Sequence, residues 1–489
     1  MTEPDSQGKK QKKAGAYFTP DTIVGSLLSW AVRSPQDRLL DPSCGDGRFL
    51  AGHRKSVGIE RDPQTAAAAI QRAPWALVHN GDFFAWAANT TDRFECAAGN
   101  PPFIRYQSFN GEVREWALKV CRSKGAEFSR LTSSWAPFLV AAASLLRPGG
   151  RMAFVIPAEV GHAPYSTPLV EYLVNHFEKV QVIAVRERLF AELSEDCWLL
   201  YADGFGSKTS HIDLTILERF APSRIPPRPS KRILVSEWRA VWNRRLRPYI
   251  LHEAAREIYQ LAANHPESKR FGEIASISIG YVSGANDFFH LRPSDVSKWR
   301  IPEHLLHPTI RNARALSTDT VTRTLVERWK KADDPFLLLR LPKTRDIPRE
   351  VERYLDTEEG QRARKAYKCS VRTPWYSVPD VQVPDFFLSY MSGASPSLVR
   401  NGAMCTCTNS VHTVRVRSQL AVETLLQAWK TPFVRLSCEL QGHPLGGGML
   451  KLEPREASQI LLPAESLKSE VVAPIIEEAL YTMRSWRHY

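Results

Sequence analysis

The chain has 489 residues, 43% of them hydrophobic, so it can bury sizeable cores and is too long for one typical domain; two or three are expected. Its 65 Lys and Arg against 52 Asp and Glu leave a net charge of +13, which points toward a polyanionic partner. The eight cysteines lack the paired CxxC spacing of a zinc site, so no metal is expected, and their scatter in a large chain suits reduced thiols in a cytoplasm.

Residues 1–14 are polar and Lys-rich and read as a basic, flexible tail. "GKKQKK" ahead of "IVGSLLSWAV" mimics a signal peptide, but "AGAYFTPD" separates the two and Ser26 and Ser29 interrupt the apolar run. Thr19 is expected as an N-cap and Pro20 as the first residue of a helix reaching Val32. From about residue 38, short apolar runs alternate with helical segments. "RLLD", "SVGIE", "LVHNGD", "FECAAGN", "RMAFVIP", "KVQVIAV" and "CWLLYADGF" read as strands, and a helix is expected over 133–146, stopped by "RPGG". Strands separated by helices predict an α/β domain with a mostly parallel sheet. The Pro- and Arg-rich "APSRIPPRPSKR" marks a linker, giving domains at 15–221 and 233–489 joined by 222–232. The second part holds one clear helix near 248–263, then segments heavy in Pro, Gly, aromatic and basic residues. No run approaches the ~18 apolar residues of a membrane span.

Two stretches carry chemistry. "RLLDPSCGDGRFL" has the form strand, acid, Gly-x-Gly turn, helix, placing Asp41, Gly45 and Gly47 where open α/β sheets bind ligands. Glu60 at the end of "SVGIE" can accept both hydroxyls of a ribose, and Asp82 in "GDFF", at the end of the third strand, can accept from an adenine amine while Phe83 packs on the ring. Leu50 stands where a dinucleotide site wants a small residue, so the set fits adenosine with a sulfonium tail better than a pyrophosphate. The alternative is that these carboxylates cap strand ends.

The second stretch is "AAGNPPFIRY". Two successive prolines cannot lie inside a helix or central strand, so they make a stiff corner after the fourth strand. The Asn100 side-chain oxygen and the Pro101 carbonyl can accept both hydrogens of an aromatic exocyclic amine and localise its lone pair toward a methyl donor. Phe103 offers a stacking face. The plainer alternative is a Pro-rich turn before a core aromatic.

In order along the chain, "YFTP" (17–20), "DPSCGDG" (41–47), "GIE" (58–60), "GDFF" (81–84) and "NPPF" (100–103) resemble the gamma-class, TaqI-like, S-adenosylmethionine-dependent N6-adenine DNA methyltransferases. The resemblance implies a Rossmann-like, mostly parallel sheet methyltransferase domain followed by a mixed α+β target-recognition domain. It implies that Tyr17, Phe18, Thr19 and Pro20 close over the methionine end of S-adenosylmethionine. Asp41, Pro42, Cys44, Gly45, Gly47, Glu60, Asp82, Phe83 and Asn100 would complete its site. Asn100, Pro101, Pro102 and Phe103 would form the catalytic corner, with Phe190 meeting the flipped adenine from the other side. Relatives often carry Tyr where this chain has Phe103, and stacking needs no hydroxyl.

The expected function is site-specific methylation of adenine in double-stranded DNA within a restriction-modification or related defence system, with any restriction endonuclease a separate chain. An RNA or protein-glutamine N-methyltransferase and a non-catalytic DNA-specificity subunit stay open as alternatives. Tyr281, Asn286, Trp375 and Tyr376 could approach DNA or be structural, and Gly446–Gly448 reads as a loop.

Overall fold

The computed structural model describes residues 18–190, 193, 195–344, 346–417, 421–467 and 471–489. The chain divides into two compact units, Met1–Ile250 and Leu251–Tyr489. Tyr17 and the tail over 1–14 lie outside the described residues.

The first unit is built on a nine-stranded sheet. In chain order its strands are β1 (Leu39–Asp41), β2 (Ser56–Glu60), β3 (Leu77–Asn80), β4 (Phe94–Gly99), β5 (Leu146–Pro157), β6 (Phe177–Val185), β7 (Cys197–Phe205), β8 (His211–Leu217) and β9 (Lys231–Leu234). Their spatial order is β3-β2-β1-β4-β5-β7-β6-β8-β9. The first five pair in parallel, and β7 is antiparallel to both β5 and β6. The seven expected strands are all present. Two more, β8 and β9, extend the edge.

The helices are α1 (Asp21–Ala31), α2 (Arg48–Ala51), α3 (Pro63–Arg72), α4 (Phe83–Asn89), α5 (Gly111–Ser123), α6 (Trp135–Ala143) and α7 (Thr167–His176). Side chains alternate across a strand, so Cys96 and Ala98, Ala153 and Val155, Ile183 and Val185, and Leu199 and Tyr201 share one face. There they join Ile23, Val24, Leu27 and Leu28 of α1 in one apolar cluster. Helix α6 is buried at all nine positions because it packs between α5 and α7 and against α4 and β5. Such a helix shows no amphipathic stripe in the sequence.

Four expectations are corrected. Pro20, extended at φ −56° and ψ 140°, takes the N-cap position of α1, and Thr19 makes no cap. The helix expected over 133–146 is the shorter α6, and "RPGG" lies within the long strand β5, irregularly registered on β4 between Phe94 and Cys96. Asp82 does not end a strand. It is the N-cap of α4, accepting from the Ala85 N–H at 3.0 Å, because β3 already stops at Asn80. The stretch 222–232 does not separate the units: its last two residues enter β9, which pairs with β8, and the division falls later, between Ile250 and Leu251. Proline and charge mark an exposed crossing as readily as a linker.

The second unit is mixed α+β. A five-stranded sheet runs Ala275–Ile279, Val411–Val416, Phe386–Ser389, Leu398–Asn401, Thr320–Val321, and a four-stranded sheet runs His290–Leu291, Leu337–Leu339, Leu306–Ile310, Thr406–Cys407. The helix expected near 248–263 spans Glu253–Asn264. Helix Pro432–Gln441 carries the fully buried Glu439, held by the fully buried Arg487 at 2.7 and 2.9 Å. Gly446–Gly448 form the turn between antiparallel strands His443–Leu445 and Met449–Lys451. All eight cysteines are free and buried.

Candidate active site

In a doubly wound sheet, ligands bind beyond the carboxyl ends of the strands where the strand order reverses. Here that point lies between β1 and β4, whose ends are Asp41 and Gly99. The chain leaves β1 through Pro42 and Ser43 into a tight turn. The Cys44 N–H donates to the Ile59 carbonyl of β2 at 2.9 Å, and the Gly47 N–H returns to the Cys44 carbonyl at 2.8 Å. Gly47 has φ 85°, and a Cβ there would lie 2.9 Å from the Ala69 Cα on α3, so only glycine fits without displacement.

Glu60 ends β2 and accepts from the Gly45 N–H at 3.1 Å and the Asp62 N–H at 2.8 Å. Burial raises its pKa while these donors oppose the rise. Asp41 is fully buried. Its Oδ1 accepts from the Ser43 N–H at 3.2 Å, and its Oδ2 has no hydrogen-bond partner among the described residues. Desolvation pushes its carboxyl up to about 8, with Glu60 and Asp46 adding repulsion and the Ser43 N–H opposing. Asp82 lies two residues beyond the end of β3 as the α4 cap. Phe83 is buried and stacks on Phe138 at 5.1 Å between ring centroids.

Asn100 to Phe103 leave the end of β4 next to the Asp41 turn. The Ser43 hydroxyl donates to the Asn100 carbonyl at 3.1 Å and ties the two loops together. Pro101 is buried, and Asn100, Pro102 and Phe103 are half-buried. Phe103 packs against the apolar cluster that contains the buried Phe190, so the two expected stacking rings reach the same cluster. Phe18 is exposed and Thr19 buried. Arg48, the first residue of α2, donates to the Thr19 carbonyl at 3.3 Å, pairs with Asp46 at 3.2 Å and lies 5.3 Å from the centre of the Phe18 ring. The structure thus brings Thr19, the Gly-x-Gly turn, Glu60 and the Asn-Pro-Pro corner to one end of one sheet.

Ser43, Arg48 and Ser134 escaped the sequence reading. Ser43 and Arg48 sit inside a recognised motif at positions that its pattern leaves variable. Ser134 precedes a helix, where serine reads simply as a cap. In the second unit, Tyr281 is buried, with its hydroxyl 2.8 Å from His290 Nε2 and 2.7 Å from Thr309 Oγ1. Burial drives His290 down to about 3, so this is a neutral core network and Tyr281 is structural. Tyr376 is buried and donates to the Thr344 carbonyl at 3.2 Å, Trp375 packs half-buried against the same core, and Asn286 stays exposed.

Residues 243–487 match the family described as Type II methyltransferase M.Eco57I, C-terminal domain, and residues 56–190 match Eco57I restriction-modification methylase. Type II methyltransferase M.AccI of Acinetobacter calcoaceticus is 22% identical over 476 residues, covering 92% of this chain and 85% of that protein. Type II methyltransferase M.XamI of Xanthomonas campestris pv. amaranthicola is 22% identical over 489 residues, covering 94% and 87%. The solved structure of the Type IIL restriction-modification enzyme MmeI in complex with DNA has a TM-score of 0.52 at 12% identity, over 93% of this chain and 65% of that one. That likeness is one of fold, and this chain spans less than two thirds of MmeI.

Proposed function

Since this chain belongs to the Type II methyltransferase M.Eco57I family, we propose that it methylates N6 of adenine in duplex DNA as the modification enzyme of a restriction-modification system. The observation that carries the adenine assignment is the Asn100-Pro101-Pro102-Phe103 corner, which begins directly after β4 and is hydrogen-bonded through Ser43 to the turn after Asp41. The methyl donor proposed is S-adenosylmethionine, which supplies a methyl group activated by a sulfonium.

The residues fit that cofactor. The buried Asp41 oxygen, without a partner among the described residues, and the nearby Glu60 offer acceptors at the strand ends. A cationic ligand beside them favours their ionised forms and recovers part of the cost of burial. The Gly45–Gly47 turn allows close backbone approach, and Arg48 holds Phe18 and Thr19 over the start of α2.

At the corner, the Asn100 side-chain oxygen and the Pro101 carbonyl accept the two N6 hydrogens of an extruded adenine. This favours a pyramidal nitrogen and turns its lone pair outward. The prolines keep the Pro101 carbonyl from turning away. N6 would accept the sulfonium methyl of the bound donor, and the methylated amine, initially cationic, would shed a proton without needing a strong general base from this chain. The half-buried Phe103 offers a face on which the base can stack, and Phe190, buried in the adjoining cluster, would meet it from the other side only once its ring is uncovered. Extrusion costs a few kcal/mol, about what phosphate and groove contacts from a DNA-binding unit can offset.

Asn100→Ala tests the reading. The variant is expected to retain S-adenosylmethionine binding, weakened at most modestly, while methyl transfer to DNA at saturating cofactor falls by at least about 100-fold, the scale of losing one transition-state hydrogen-bonding group. Equal transfer by both proteins, or a methylated product other than N6-methyladenine on nucleoside mass analysis, would sink it.

A further inference from the structure

Three consecutive carbonyls belong to the proposed catalytic corner, those of Asn100, Pro101 and Pro102. Two are already engaged by serine hydroxyls. Ser43 Oγ donates to the Asn100 carbonyl at 3.1 Å, and Ser134 Oγ donates to the Pro102 carbonyl. The Pro101 carbonyl between them accepts no hydrogen bond from the described residues. The backbone is thus pinned on both sides of the one carbonyl left open.

Ser134 does more than donate. Its hydroxyl oxygen accepts from the Ile104 N–H at 3.0 Å, and its own N–H donates to the Ile104 carbonyl at 2.9 Å. One fully buried residue therefore holds the chain on both sides of Phe103. Its location makes this notable in energetic terms. Ser134 is the N-cap of α6, where a serine side chain ordinarily accepts from the first-turn N–H groups and stabilises the helix. Here it makes no cap hydrogen bond and sits in the αR conformation. Its oxygen accepts from the Ile104 N–H in place of a first-turn N–H, and its one proton goes to the Pro102 carbonyl. A local rule broken in favour of a distant loop is the pattern expected where geometry serves function.

We propose that Ser134, seconded by Ser43, is a positioning residue for methyl transfer: the two hydroxyls fix the peptide planes around Pro101 so that its carbonyl points at the target amine, and Ser134 sets the plane of Phe103. The inference rests on the adenine reading above and adds the groups that aim its acceptor. Neither serine touches the reacting atoms.

The test compares full-length wild type with Ser134→Ala, Ser134→Thr and Ser43→Ala by S-adenosylmethionine titration, thermal melting and single-turnover methyl transfer to unmodified genomic DNA. Ser134→Ala is expected to keep cofactor affinity within about twofold and to transfer methyl about 10- to 100-fold more slowly, the scale of a small misplacement of reacting groups. Ser134→Thr, which keeps the hydroxyl, should regain most of that rate. Equal rates for Ser134→Ala and wild type overturn this inference and leave the adenine reading standing. A Thr variant as slow as the Ala variant assigns the loss to packing and also overturns it. Wild type that transfers no methyl to DNA overturns the reading itself. Should Ser134→Ala lose its melting transition, Ser43→Ala decides: slowed transfer at retained affinity supports the clamp, and unchanged transfer ends it.

Discussion

Asp41 concentrates the electrostatic cost of the site in one carboxyl. Its pKa is raised to about 8, from an ordinary value near 4, chiefly by burial. Between about pH 4 and 8 the folded chain therefore holds a proton that the unfolded chain has released, so this residue's contribution to stability is complete below about pH 4 and declines as pH rises toward 8. Asp41→Asn removes that decline. Melts of the ligand-free protein should show the variant gaining on wild type from pH 5 to pH 8, while its affinity for S-adenosylmethionine falls. A constant difference across that range would refute the burial argument. Asp41 and Glu60 were legible in the sequence because an acid at a strand end beside Gly-x-Gly has a positional meaning. Ser134 was not, because its partners are backbone atoms 30 and 32 residues away and nothing local distinguishes it from a cap.

Six of the seven strands up to Phe205 could be read because they lie inside the sheet, where strands covered on both faces are largely continuous apolar runs whether they pair in parallel or, as β7 does, antiparallel. β8 and β9 were missed for the converse reason: "HIDLTIL" of β8, next to the edge, mixes polar residues among its apolar ones, and "KRIL" of β9, the edge strand itself, opens with two charges. Tertiary contacts also reset boundaries, turning the "RPGG" stop signal into the entry to β5. The turn between β1 and α2 depends on α3 in the same way. Gly47→Ala would force a side chain into the Ala69 backbone at a positive φ. We expect a loss of roughly 1–3 kcal/mol in urea unfolding, together with weaker cofactor binding, since the turn must shift. Wild-type stability in this variant would mean that α3 moves aside freely.

Across the whole molecule the +13 charge is the feature that composition alone supplied, and it matches a family whose members modify DNA. Phosphate neutralisation releases counterions, so the logarithm of the DNA affinity should fall linearly with the logarithm of salt, by about 0.9 per phosphate contacted. Fluorescence anisotropy at several salt concentrations measures this, and affinity indifferent to salt would argue against a phosphate-led interface. The mixed α+β second unit was legible only in outline, because its short strands pair across long sequence separations and its aromatic residues fill cores. Tyr281 illustrates this, a surface candidate by residue type that proves to be a core anchor.

The eight free thiols are all sequestered from solvent. A maleimide dye would therefore find the native surface inert, and a single cysteine placed by design on an exposed helix would become the fast-reacting handle. Fluorophore pairs for following domain motion on DNA can then be installed without first stripping the protein of its own sulfur.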